Sequence, residues 1–119
     1  MISLDHDGPT LAYEQIRSQL HDLIRSGALG EGARLPSIRQ LARDLGVAPG
    51  TVARAYTELG DAGLLVLSRS GAHVGGGQTI NEDFRTAAAT LIAIAREHSV
   101  SMNDVIGVIR ANWAAEPSR

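Results

Sequence analysis

Apolar residues fall at helical spacing along most of this chain and run together in one place. Tyr13, Ile16, Leu20, Leu23 and Ile24 make the first stripe, which continues to about Ser26, with Thr10 as N-cap and Gly27 as the stop. Ile38, Leu41, Ala42 and Leu45 then fall at i, i+3, i+4 and i+7. Ser37 and Gln40 have capping-box spacing: the hydroxyl accepts from the Gln40 amide while the Gln side chain reaches back to the Ser37 N–H. Gly46 supplies the left-handed residue that ends this helix. Pro49 suits the first turn of the next, where a missing N–H costs nothing, and Val52, Ala55, Tyr56 and Leu59 repeat the stripe until Gly63. Leu64, Leu65, Val66 and Leu67 form an apolar run of strand length, followed by a turn at Arg69-Ser70-Gly71 and a return strand, Ala72-His73-Val74.

Gly75-Gly76-Gly77-Gln78 reads as a flexible link and the clear boundary of the chain. Beyond it, Asn81 as cap with Glu82 and Asp83 in the first turn opens a helix through about Glu97. Phe84, Ala88, Leu91 and Ala95 share one side of it, widened by Ala87, Ile92 and Ile94. Ser101 with Asp104 restarts a last helix, along which Met102, Val105, Ile106, Ile109 and Trp113 recur. Residues 1–8 carry no periodicity and read as an extended arm, and residues 116–119 are expected to fray.

Residues 35–62 therefore hold two short helices with inward apolar faces joined through three or four residues, the pattern of a helix-turn-helix whose second helix enters the DNA major groove. On that helix Gly50, Ala53, Arg54 and Thr57 face away from the stripe. Ala48, Pro49, Gly50 and Ala53 leave its N-terminal end nearly bare, so the backbone can approach base edges and thymine methyl groups. Arg54 and Thr51 carry the polar readout, Thr51 being equally able to support its own first turn, and Glu58 and Asp61 lie toward the far end. A hairpin directly after such a helix is a wing, whose tip lies along phosphates or the minor groove. Arg69, Ser70 and Gly71 are its candidate contacts, with His73 behind them. Ser37 is first a cap, and Arg34 is either a contact or a strand residue facing solvent.

The run YEQIRSQLHDLIRSGAL, then GARLPSIRQLARDLGVAPGTVARAYTELGDAGLL, resembles the winged helix-turn-helix domain of the GntR family of bacterial transcription regulators. Pro49-Gly50-Thr51-Val52 followed by Arg54-Ala55-Tyr56, with a tail of only about two helices, is closest to its YtrA-like branch. The resemblance covers residues 11–74. It implies a mostly α fold with a small β-wing: a DNA-binding domain over 1–75, a glycine-rich linker over 76–79 and a helical dimerisation hairpin over 80–115. It also implies that Arg39, in LPSIRQLA, contacts DNA and that residues 34–36 pair as the outer strand of the small sheet. The family's wing has two glycines around a basic residue and then an aromatic, a pattern from which Arg69-Ser70-Gly71-Ala72-His73 departs. The function implied is a repressor on a GT…AC-type inverted repeat in its own operon's promoter, often beside transporter genes.

Composition narrows the alternatives. The chain has no Cys, and all eleven of its Lys and Arg residues are Arg, so thiol, Schiff-base and Walker-type chemistry have no residue to use. The four histidines (His6, His21, His73 and His98) are dispersed without ligand spacing, so no metal and no cofactor is expected. The formal net charge of −2 is unlike a typical nucleic-acid binder. Between residues 34 and 74, however, five Arg face three acids, a local +2. The N-terminus lacks the basic and apolar regions of a signal peptide and no apolar run is long enough to cross a bilayer, so a cytoplasmic location is expected.

The two tail helices cannot bury their stripes alone, since units below roughly 40 residues seldom hold a core unaided. A second copy of the same hairpin is the simplest cover, with Phe84, Leu91, Ile94, Val105, Ile109 and Trp113 as the expected seam of a homodimer. Two recognition helices held roughly 34 Å apart would read an inverted repeat on double-stranded DNA. About forty residues are too few to enclose a pocket of roughly 300 Å³ within one subunit, which leaves any small-molecule effector the dimer seam or the space between DNA head and tail. The rival reading from another class is a protein-interaction module without intrinsic DNA specificity.

Overall fold

The structure is a computed structural model, and it describes residues 1–115. The expected fraying of residues 116–119 lies outside the described residues. The chain divides into two compact units, Met1–Ile80 and Asn81–Arg119.

The N-terminal unit is built on three helices, α1 (Ala12–Arg25), α2 (Ile38–Leu45) and α3 (Pro49–Asp61), and two strands, β1 (Leu65–Ser68) and β2 (Gly71–Val74). Helix α3 is the hub, packing against α1, α2 and β1. The stripes meet there as their spacing predicts: Ile16, Leu20 and Ile24 of α1, Leu41 and Ala42 of α2, and Val52, Ala55, Tyr56 and Leu59 of α3 are all buried in one cluster. Leu35, Leu64, Leu65, Ala72 and Val74 close it from the strand side. The strands pair antiparallel from Leu65↔Val74 to Ser68↔Gly71. An antiparallel bridge, Arg34↔His73, extends the pairing outward, with Leu35 N–H donating to the Ala72 carbonyl and Val74 N–H to Ala33, each at 2.9 Å. Residues 33–35 therefore flank β2, one residue earlier than the 34–36 that the resemblance implied.

Local signals resolve unevenly. Ser37 accepts from the Gln40 amide at 3.1 Å, and Gly46 closes α2 at φ 69°. The return arm of the capping box is absent: the Gln40 side chain donates to Asp44 Oδ1 at 2.8 Å, one helical turn onward. Thr10 is not the cap of α1. Leu11 holds that position without a side-chain bond, and the Thr10 carbonyl accepts from Gln15 Nε2 at 2.7 Å. The N-terminal arm lies on α1 rather than free in solvent. Gln19 exchanges two hydrogen bonds with the Ser3 backbone at 3.0 and 2.7 Å, Gln15 does the same with Asp5 at 2.8 and 3.0 Å, and Ile2 and Leu4 pack on the core. Two primary amides one turn apart on a helix thus imitate a strand edge for residues 3 and 5.

The glycine-rich stretch expected as a free linker is also fastened. Arg25 Nη1 donates to the Gln78 carbonyl at 2.6 Å and Ile80 N–H to the Arg25 carbonyl at 2.8 Å, so the N-terminal unit runs on to Ile80. A basic residue in the last turn of α1 both suits the helix C-terminus and holds the departing chain.

The C-terminal unit holds two helices, α4 (Glu82–Glu97) and α5 (Met102–Trp113), which follow one another closely in sequence but are not closely packed on each other as the expected hairpin would be. Asn81 caps α4 through the Phe84 amide at 2.8 Å, and Ser101 caps α5 through that of Asp104 at 3.0 Å. Ala95 is the one buried residue of α4 and α5 has none. Phe84, Leu91, Ala95, Met102, Val105 and Ile109 are among the residues lining an apolar groove of about 520 Å³. Among the described residues, no helix of either unit is long and apolar enough to cross a membrane.

Candidate nucleic-acid interface

Besides its core packing, helix α3 is tied to the rest of its unit by a part-buried hydrogen bond. The Tyr56 hydroxyl donates to the Pro36 carbonyl at 2.7 Å, joining the middle of α3 to the segment that leads into α2. Burial pushes the Tyr56 hydroxyl up from about 10 to about 12, so the phenol stays a donor at any physiological pH.

The outward side of α3 begins with an open first turn. Ala48, Pro49 and Gly50 are exposed, the N-cap Ala48 brings no side-chain acceptor to the helix amides, and a Cβ added at Gly50 would meet nothing within 4 Å. Thr51 and Ala53 are half-buried and Arg54 and Thr57 exposed. Two hollows flank this ridge. One, of about 370 Å³, lies between the starts of α1 and α3 and is lined by Tyr13, Gly50, Thr51 and Arg54. The other, of about 270 Å³, lies between α3 and the wing and brings Ser37 and Arg69 together with Ala53 and Thr57.

The wing turn is Arg69-Ser70, one residue shorter than the sequence suggested, because Gly71 pairs with Ser68 as the first residue of β2. Gly71 takes φ 127°, a conformation that favours glycine. The Ser68 hydroxyl braces the turn through Ser70 Oγ at 3.0 Å and the Gly71 carbonyl at 3.2 Å. Arg34 Nη2 donates to the Ser70 carbonyl at 3.3 Å, so Arg34 supports the tip and remains exposed. His73 sits in mid-strand opposite Val66, away from the tip.

The charges on this surface are unequal in availability. Arg39, Arg43 and Arg69 are exposed and, among the described residues, their side chains make no ion pair or hydrogen bond. On α3, Glu58 is occupied, facing Arg17 Nε and Arg54 Nε at 3.4 Å each. Glu58 and Tyr13 are the residues that sequence reasoning left out of the site. The i, i+4 spacing of Arg54 and Glu58 is a readable signal for the first, whereas the second depends on how α1 docks.

Of the residues expected at a dimer seam, Phe84, Leu91, Val105 and Ile109 line the apolar groove of α4 and α5. Ile94 and Trp113 do not; both are exposed outside it, Trp113 at 84%.

Comparison with known proteins agrees with this geometry. The family described as bacterial regulatory proteins, gntR family, matches residues 12–74, which spans all three helices and both strands of the N-terminal unit. The chain is 37% identical over 95 residues to the HTH-type transcriptional regulator Rv1152 of Mycobacterium tuberculosis, covering 79% of this chain and 78% of that protein. It is 37% identical over 86 residues to the HTH-type transcriptional repressor YtrA of Bacillus subtilis, covering 72% and 62%. Among solved structures it is similar to YtrA from Sulfolobus acidocaldarius, a GntR-family transcription factor, with a TM-score of 0.59, 36% identity, and coverage of 81% of this chain and 97% of that one. These relatives are transcriptional regulators and not enzymes. With a matched helix-turn-helix and a wing in place, the chain belongs to the GntR family of bacterial regulatory proteins.

Proposed function

We propose that this protein is a homodimeric, sequence-specific transcriptional repressor that binds an inverted-repeat operator on double-stranded DNA. The observation that carries the reading is the bare, exposed first turn of α3 beside unpaired arginines. Ala48, Pro49 and Gly50 admit the backbone to the major groove, Arg54 and Thr51 read base edges, and Arg39, Arg69 and the Ser70 tip hold phosphates. Ser37, Gly71 and His73 shape the surface around these contacts, and Arg34 braces the tip. The B. subtilis relative is named a repressor, which favours repression here.

Pairing of two copies through α4 and α5 is supported by their exposed apolar groove. Phe84 is 57% and Ile109 46% exposed in a single copy, and the cheapest cover for such a face is the same face on a second chain. Two DNA-binding units joined in this way would place recognition helices in successive major grooves.

The test is fluorescence anisotropy on a duplex that the protein retains from a random pool, over a salt series. With Arg39 and Arg69 of each protomer at phosphates, about four per dimer, the log–log salt slope should fall at roughly −3 to −4. Arg54→Ala should abolish the preference for the selected duplex over a scrambled one, while Arg39→Ala weakens both and flattens the slope. Failure to retain any duplex at low salt would favour the protein-interaction module instead.

A further inference from the structure

The guanidinium of Arg54 is held from two sides in the free protein. Its Cζ lies 3.6 Å from the centroid of the Tyr13 ring, close enough for a face-on cation–π contact. Its Nε faces Glu58 Oε2 at 3.4 Å, and the other Glu58 oxygen faces Arg17. Among the described residues its two terminal nitrogens donate to nothing. The Glu58 pair is solvent-exposed and long, so salt screens it. The ring contact is therefore the more durable restraint. Tyr13 itself is half-buried and lies outside the hydrophobic core, so packing of the core does not account for an aromatic at that position.

We infer that Tyr13 is a positioning residue for DNA recognition: its ring presents the Arg54 guanidinium as a preformed fork, with the Nε edge turned to Glu58 and the terminal nitrogens free for an acceptor pair on a base. An arginine ordered before binding gives up less rotamer freedom at the interface. The inference rests on the proposed role of Arg54 in reading DNA. It extends the recognition surface from α3 to the first turn of α1, an element outside the helix-turn-helix.

The experiment compares wild type, Tyr13→Phe, Tyr13→Leu, Arg54→Ala and the Tyr13→Leu/Arg54→Ala double variant on the duplex that wild type selects from a random pool. Thermal melts establish that each is folded. In the free protein, the Arg54 Nε–Hε NMR resonance reports the ring directly. Tyr13→Phe should bind as wild type does and keep that resonance in its shielded position. Tyr13→Leu should bind roughly two- to fivefold more weakly, with the resonance moved and the salt slope unchanged. In the Arg54→Ala background, Tyr13→Leu should have no further effect. Equal losses in Tyr13→Phe and Tyr13→Leu would overturn the inference, because the hydroxyl rather than the ring would then be at work. Additive losses in the double variant would overturn it as well. Wild-type affinity and selectivity in Arg54→Ala would instead defeat the reading of Arg54 itself, a failure that the single variants at Tyr13 cannot imitate.

Discussion

Replacing Tyr56 with Phe removes one oxygen and tests how α3 is set against the rest of its unit. The side chain is 2% exposed, and its hydroxyl donates to the Pro36 carbonyl at 2.7 Å. Losing a hydrogen bond of this kind costs about 1 kcal/mol, rising toward 2 kcal/mol if water does not reach the abandoned carbonyl. For a unit of this size, that lowers the melting temperature by roughly 6–12 °C at pH 7. The substitution also changes the pH dependence, and its sign follows from the shift of the hydroxyl from 10.0 to about 12. Below pH 10 the phenol is protonated in both folded and unfolded chains and its contribution is complete. Between pH 10 and 12 the unfolded chain loses the proton while the folded one keeps it, so stability drains away as pH rises, by about 1.4 kcal/mol per unit. The wild-type advantage over Tyr56→Phe should therefore shrink above pH 10 and be gone by about pH 11. Circular-dichroism melts of both full-length proteins at equal concentration, from pH 7 to 11.5, measure this. Identical melting temperatures at pH 7 would mean that the Tyr56–Pro36 bond adds no stability, and a gap that stays constant to pH 11.5 that burial does not hold the proton on the hydroxyl.

Two further substitutions separate folding from binding and pairing. Gly50→Gln places a side chain where nothing lies within 4 Å, so melting should be unchanged or slightly raised by the better helix former, while affinity for the selected duplex falls by more than about tenfold; unchanged affinity would remove the first turn of α3 from the interface. Ile109→Glu puts a charge into the apolar groove of α4 and α5, and sedimentation should shift from dimer to monomer with a loss of operator affinity on the order of a hundredfold as the two heads are uncoupled. A dimer that survives this change would place the seam elsewhere.

The parts of this fold that were legible in the sequence are those fixed by short-range chemistry. Ser37, Asn81 and Ser101 cap their helices as their spacing implies, and Gly46 takes the left-handed conformation that its place after Leu45 demands. The i, i+3, i+4 stripes of α1, α2 and α3 indicated the core because all three turn toward one centre. What escaped was decided by tertiary partners. Gln40 found Asp44 rather than its own cap, Gln15 and Gln19 captured the arm, and the glycine-rich stretch was fastened by Arg25 across 53 residues. In the site, Arg54 was legible as an outward cation, but the ring beneath it was not, since Tyr13 lies 41 positions earlier and meets it only once α1 packs on α3. The tail shows the limit of stripe reading: Ile94 and Trp113 share the apolar pattern of the helices, yet only the side chains that turn into the groove line it.

Two copies of the α3 ridge should together read a matched duplex. Selection of random-sequence double-stranded DNA by the purified full-length protein tests it most directly. Enrichment of an inverted repeat whose half-sites are centred about one helical turn apart, roughly 10 base pairs, is the predicted result. A pool that emerges with no sequence enriched over the starting library would contradict it.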